Sequence, residues 1–110
     1  MDSRQQRVAK NEALFREVNE RIKDINEGAA PADERSDFLC ECGDQECTKA
    51  ISLSVAEYEA VRSDPRQFAI VPGHQVPDVE RLVADHGRFA VVEKEPAAAA
   101  RIAEERDPRS

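Results

Sequence analysis

The chain has 110 residues, of which 40% are hydrophobic and only 5% aromatic, and it carries a formal net charge of −7. That length accommodates one compact domain with appended segments, not two independent cores. The acidic balance argues against a protein whose work is neutralising nucleic-acid phosphates or lying on an anionic membrane surface, and no stretch approaches the roughly 18 apolar residues that cross a bilayer.

The N-terminal MDSRQQRVAKNE offers no apolar run to act as a secretory signal, which makes a reducing cytosol the expected compartment. Residues 3 to 27 read as one long helix, with Asp2 or Ser3 as N-cap and Gly28 as its stop. Val8, Phe15 and Ile22 recur every seven residues, Asn11, Val18 and Ile25 follow three positions later, and Leu14 widens the stripe. Such a seam docks on the protein's own core, on a partner protein or on a second copy. Glu12 with Arg16, and Glu17 with Arg21, stand four residues apart and mark a solvated face. GAAPADERSD, from Gly28 to Asp37, mixes Gly, Pro and charge without periodicity and reads as a linker. The expected division is therefore a helix over residues 1–28, a linker over 29–37, a domain over 38–95 and a tail over 96–110.

Within the domain, DFLC and KAISLS are short β-prone runs that can pair with a cysteine loop at their joining end. Ser54 precedes VAE and places Glu57 three positions later, a capping-box signature for a helix to about Arg62 with Val55, Tyr58 and Val61 on one face. QFAIV reads as a strand, and PGHQVPD as a loop. DVERLVADHG reads as a short helix stopped by Gly87, because Val79, Leu82, Val83 and His86 fall on one helical face. RFAVVEK is a last strand. The tail EPAAAARIAEERDPRS has high helix propensity, with Pro96 suited to a first turn, but only Ile102 to bury, and reads as a fraying helix or disorder. The predicted class is α+β: a long N-terminal helix followed by a small zinc-stabilised domain with a short, mainly antiparallel sheet and two helices.

All three cysteines fall in FLCECGDQECTKAISL, as Cys40, Cys42 and Cys47. In a reducing compartment a C-x-C-x4-C cluster is more readily a set of metal ligands or reactive thiols than a disulfide. Gly43 lets the backbone turn sharply after Cys42, so that Cys47 can return to the same point. Zinc takes four ligands in a tetrahedron, and the cysteines provide three. The chain contains two histidines to supply the fourth, His74 and His86. His74 follows a predicted strand and a glycine that permits close backbone approach, whereas His86 suits a core or helix-capping role, which favours His74. Asp44, Glu41, Glu46 or water are the other options. The expected set is Cys40, Cys42, Cys47 and His74, around a structural zinc. Inert buried thiols and a redox switch are the competing readings.

No H-E-x-x-H, G-x-S-x-G or Gly-rich phosphate loop occurs, and three thiolates with one histidine close the zinc shell against substrate. A zinc hydrolase requires His74 not to be a ligand, with Glu41 or Glu46 as base. A nucleic-acid interface requires Arg62, Arg66, Arg81 and Arg88 to converge on one face.

The segments NEALFREVNERI, FLCECGDQECT, AEYEAVRSDPRQFAIVPGH and VERLVADHGRFAVVEK together resemble a family of short, largely uncharacterised bacterial proteins with a helical N-terminus and a small C-x-C-x4-C domain. The resemblance implies that Cys40, Cys42, Cys47 and His74 belong to one shared domain, and it carries over no catalytic residue. The expected function is a cytosolic, zinc-finger-like interaction or regulatory module whose N-terminal helix, through Val8, Phe15, Val18, Ile22 and Ile25, binds a protein partner or itself. The alternative is a thiol/zinc redox sensor in which cysteine oxidation ejects the metal.

Overall fold

The computed structural model describes residues 3–109 other than 30, 32, 45, 78 and 96, so that Asp2 as a cap and Pro96 as a first-turn residue lie outside the described residues. The architecture is α+β, in the order α1 (Ser3–Ala29), β1 (Arg35–Leu39), β2 (Ala50–Ser54), α2 (Val55–Arg62), β3 (Gln67–Ile70), β4 (Glu80–Asp85), β5 (Ala90–Lys94) and α3 (Ala97–Glu105). No helix among the described residues is long and apolar enough to cross a membrane.

Strands β1 and β2 pair antiparallel with Phe38 opposite Ile51, and their connection carries the three cysteines. β1 begins at Arg35, inside the stretch that reads as linker. Its first three residues, Arg35, Ser36 and Asp37, are polar and give no strand signal of their own; they are held by pairing with Ser54, Leu53 and Ser52. α2 follows directly, with the Ser54 hydroxyl accepting from the Glu57 N–H and the Glu57 carboxylate accepting from the Ser54 N–H, the capping box that the sequence announces.

The second sheet is antiparallel in the order β3-β5-β4. Its central strand and β3 are covered on both faces, which is why QFAIV and FAVV are unbroken apolar runs. Ala69 and Val91 join Phe38, Ile51, Leu53, Tyr58, Val61 and Phe89 on the side of α2 and the hairpin. Phe68, Ile70, Ala90 and Val92 face the other way, onto Cys40, Cys42 and Ala103. The cysteine loop is thus part of a hydrophobic layer.

The segment that reads as a helix before Gly87 is instead β4, paired antiparallel with β5. A bulge between Leu82 and Ala84 inserts one residue, which breaks the period of two and leaves an apolar spacing that mimics a helical face. Leu82 and Val83, at 46% and 40% exposure, lie outside the core. Cross-strand pairs of opposite charge hold the register, Arg81 to Glu93 at 2.6 Å and Lys94 to Glu80 at 2.8 Å. Gly87, at φ +80°, turns the hairpin rather than ending a helix.

Helix α1 turns inward the Glu12–Arg16 face that reads as solvated. It buries Ala9, Glu12, Ala13, Arg16 and Asn19, while Leu14, Val18 and Ile25 of the apolar seam are exposed and Val8, Phe15 and Ile22 half-buried. Glu12 and Arg16 are fully buried instead of forming a solvated pair. The Arg16 guanidinium donates at 2.6 Å to the carbonyls of Pro65 and Ala103 and stacks 4.6 Å from the centre of the Phe68 ring. Glu12 is ion-paired with the buried Lys94. Partners from β5, from the β3 approach and from α3 offset part of the desolvation, with Glu12 Oε2 and Arg16 Nε left without a hydrogen bond, so charge packs inward where periodicity places it outside. α3 packs on α1 and β5 and buries Ala103 more deeply than Ile102, because a methyl side chain lets the helix come close.

Candidate metal centre

Cys40, Cys42, Cys47 and His74 converge, and their ligand atoms all lie within 4.8 Å of one another. Cys40 follows β1 directly, and its N–H donates to the Lys49 carbonyl at 3.0 Å across the hairpin mouth. Cys42 and Cys40 project to one side and Glu41 to the other, as alternation along extended chain requires. Gly43 then takes φ +82°, and the Cys47 N–H donates to the Asp44 carbonyl at 2.9 Å, which closes the loop and returns the third sulfur.

The fourth vertex comes from Val71-Pro72-Gly73-His74. The His74 N–H donates to the Val71 carbonyl at 3.0 Å, with Pro72 second and Gly73 third at φ +94°, the signature of a type II turn. Open space surrounds the position of a Cβ at Gly73, so this glycine serves its positive φ rather than close backbone approach. The turn sets His74 Nδ1 3.7 Å from Cys40 Sγ and 3.8 Å from Cys47 Sγ. The Val71 N–H donates to Cys40 Sγ at 3.1 Å, so the same turn orients a sulfur and supplies the imidazole.

The other candidates are elsewhere. His86 is exposed and stacks on Phe89, 4.7 Å between ring centres. Asp44 and Glu46 are exposed, and the Asp44 side chain accepts from the Glu46 N–H at 2.9 Å. Glu41 points away from the sulfurs into a fully buried pocket, where it accepts from Asn19 Nδ2, Tyr58 Oη and the Ala69 N–H at 2.8, 2.8 and 2.9 Å. Burial raises its pKa, opposed by these three donors. It is a fastener of the loop, neither a ligand nor a base at the sulfurs.

Asn19 of α1 completes the fastening. Its amide accepts from the Leu39 N–H at 2.8 Å and donates to the Leu39 carbonyl at 2.9 Å, while Asn11 donates to the Gly43 carbonyl at 3.1 Å. α1 therefore grips the C-x-C segment at both ends. A Cβ on Gly43 would sit 2.7 Å from the Glu12 side chain and from the Val8 carbonyl, so helix and loop are in close contact. In the sequence Asn11 falls within an apolar seam, and no local pattern assigns Asn19 or Tyr58 to the site. The one available signal was Glu41 itself, an acid trapped between two inward-facing cysteines.

Hydrogen bonding among the thiols polarises them. Donation from Cys40, then from the Asp44 N–H, brings Cys42 down to about 5 against the opposing effect of burial, while Cys40, as the donor in a buried setting, is pushed up. The group gathers softly polarisable donors around a point that a cation can occupy in place of protons. Beside it runs an open cleft of about 510 Å3 lined by Arg4, Arg7, Asn11, Cys42, Asp44 and His74.

The four arginines that a nucleic-acid face requires are each paired with a carboxylate. Arg62 is buried between Glu20 and Asp107, Arg66 meets Asp64 and Glu93, Arg81 meets Glu93 and Glu95, and Arg88 meets Glu57. No protein-family model matches the chain, and neither a curated protein nor a solved structure gives a match.

Proposed function

We propose that this chain is a small zinc-stabilised interaction module of the cytosol, of the bacterial kind that its sequence segments resemble, with Cys40, Cys42, Cys47 and His74 as the ligands of a structural ion. The observation that carries this reading is the Cys3His group itself. Zinc–thiolate and zinc–imidazole bonds set tetrahedral edges of about 3.6–3.8 Å, and the two histidine–cysteine separations match that range. A set contained within 4.8 Å closes on such an ion with side-chain shifts of about 1 Å. Three thiolates favour zinc over the oxygen-seeking cations. Four protein ligands complete the shell and leave no position for substrate, which supports a structural rather than a hydrolytic role. The bound ion would tie the hairpin to the turn after β3, and so hold the hydrophobic layer beneath α1 and α3.

Native mass spectrometry with and without chelator tests the reading. It predicts one zinc mass per chain, lost with chelation, and a melting temperature that falls as the metal leaves, because binding energy at such a site is folding energy. A metal-free chain that melts where the untreated one does would sink it.

A second reading, a thiol/zinc redox sensor, is favoured by one feature: Cys42 borders the open cleft and Cys47 is half-exposed, so oxidants reach the site. Peroxide would then take two electrons from two thiolates to form a disulfide, be reduced to water, and release the ion. Zinc release at low peroxide favours the sensor; retention favours the structural role.

A further inference from the structure

The outward face of α1 holds Leu14, Val18 and Ile25 at 54%, 38% and 72% exposure, three of the five large apolar side chains exposed among the described residues. Half-buried Phe15 and Ile22 border them. The charges around this stripe are polarised along the helix. Arg4, Arg7 and Lys10 are exposed in its N-terminal third, where the acidic Glu12 is buried against Lys94. Glu17, Asp24 and Glu27 are exposed further on, against Arg21. Lys23 is shared among Asp24, Glu27 and Glu59 at 2.9, 3.3 and 3.5 Å, so that end remains net acidic. The first turn has no acid and the last no base, the reverse of what the helix dipole favours. An arrangement that opposes the dipole and flanks an apolar stripe suits a neighbour of reversed polarity.

We propose that the occupant of this face is a second copy of the chain, its α1 laid antiparallel on the first about a two-fold axis near Val18. Val18 then meets Val18 of the other copy, Leu14 lies against the outer edge of Ile22, whose inner side packs on its own core, and Arg7 and Lys10 reach the turn that carries Asp24 and Glu27. A parallel pair would set Arg7 and Lys10 against themselves and Asp24 against itself, so charge selects the antiparallel mode. The contact is isologous and closes on itself, as two-fold interfaces do. A helix of this length, about 40 Å, presents several turns to its mate. The inference rests on the reading of α1 as an interaction element and is independent of the metal.

Sedimentation equilibrium and native mass spectrometry of the full chain test it. A dimer is expected, dissociating more readily as salt rises. Val18→Asp should give a monomer with unchanged far-UV circular dichroism and unchanged metal mass per chain. Lys10→Glu should weaken the dimer about tenfold, since two symmetric exposed pairs are lost, and Asp24→Lys in the same chain should restore it. A wild-type chain that stays monomeric at every attainable concentration overturns the proposal, and so does a dimer that survives Val18→Asp. Tighter association in Lys10→Glu, or no rescue by the second substitution, overturns the antiparallel mode. A metal-loaded monomer overturns the dimer while leaving the zinc reading standing, and a metal-free dimer does the reverse.

Discussion

Helix α2 turns Val55, Tyr58 and Val61 inward, with the ion-paired Arg62 buried at its end, whereas α1 turns Glu12, Arg16 and Asn19 inward and leaves Leu14, Val18 and Ile25 outside. The first docks by area removed from water, a term indifferent to exact geometry. The second docks by hydrogen bonds and ion pairs to particular partners, which matter because a buried polar group without one costs more than the bond gains; Glu12 Oε2 and Arg16 Nε are the buried atoms of this face that lack one. The difference teaches that α1 is positioned by specificity: only one register of the helix satisfies Leu39, Gly43, Pro65, Ala103 and Lys94 together. That register is what aligns Asn19 and Asn11 with the two ends of the cysteine loop. An apolar face in the same place would slide.

The largest way to break this contrast is to remove one charge from the inward face of α1. Lys94→Met leaves Glu12 and Glu80 buried side by side without a cation and should cost about 3–5 kcal/mol in urea unfolding. A loss below about 1 kcal/mol, the value of an ordinary surface pair, would show that α1 does not dock by charge. Gly43→Ala comes next. The left-handed backbone alone costs about 1–2 kcal/mol for a residue with a Cβ, and the new methyl would press on Glu12 and Val8 of α1. Lower thermal stability together with weaker retention of the proposed ion is expected, and unchanged retention would uncouple helix from loop.

On the side of α2 the effects are smaller and local. Ser54→Ala removes one half of the capping box and should cost about 1 kcal/mol, with faster hydrogen exchange at the Glu57 N–H and no change at the cysteines. Altered metal content in this variant would mean that the cap of α2, and not only its Tyr58, is coupled to the site. The smallest effect concerns acid. Arg88, with the Ser54 N–H, holds the Glu57 carboxyl below its ordinary value of 4.5. A depressed folded-state pKa adds stability above the unfolded value and loses it as pH falls through the folded one. The loss therefore lies below about pH 4.5. Arg88→Ala should flatten this part of the acid limb of a thermal melt series, and an unaltered limb would remove the pair from the account.

Much of the candidate site could be read from residue order, because its parts are local. C-x-C followed by glycine sets two sulfurs on one side of a turning chain, and V-P-G-H encodes a type II turn whose last residue is the histidine. The hairpin and the cap of α2 were legible for the same reason: turn and capping chemistry acts over three or four residues. β4 was not, since a bulge imitates helical spacing and only pairing with β5 identifies the strand.

By itself, then, the sequence determined the long helix, the α+β class, the β1–β2 hairpin, the capping box and the grouping of the three cysteines, set by backbone preferences of short segments, whereas His74, 27 and 34 positions from Cys47 and Cys40, joins them only through the fold. Tertiary structure decided which face of α1 goes inside. Periodicity ranks side chains by their affinity for water, but Glu12, Arg16 and Asn19 are buried by partners 20 to 87 positions away in the chain, and no local pattern encodes a partner at that distance.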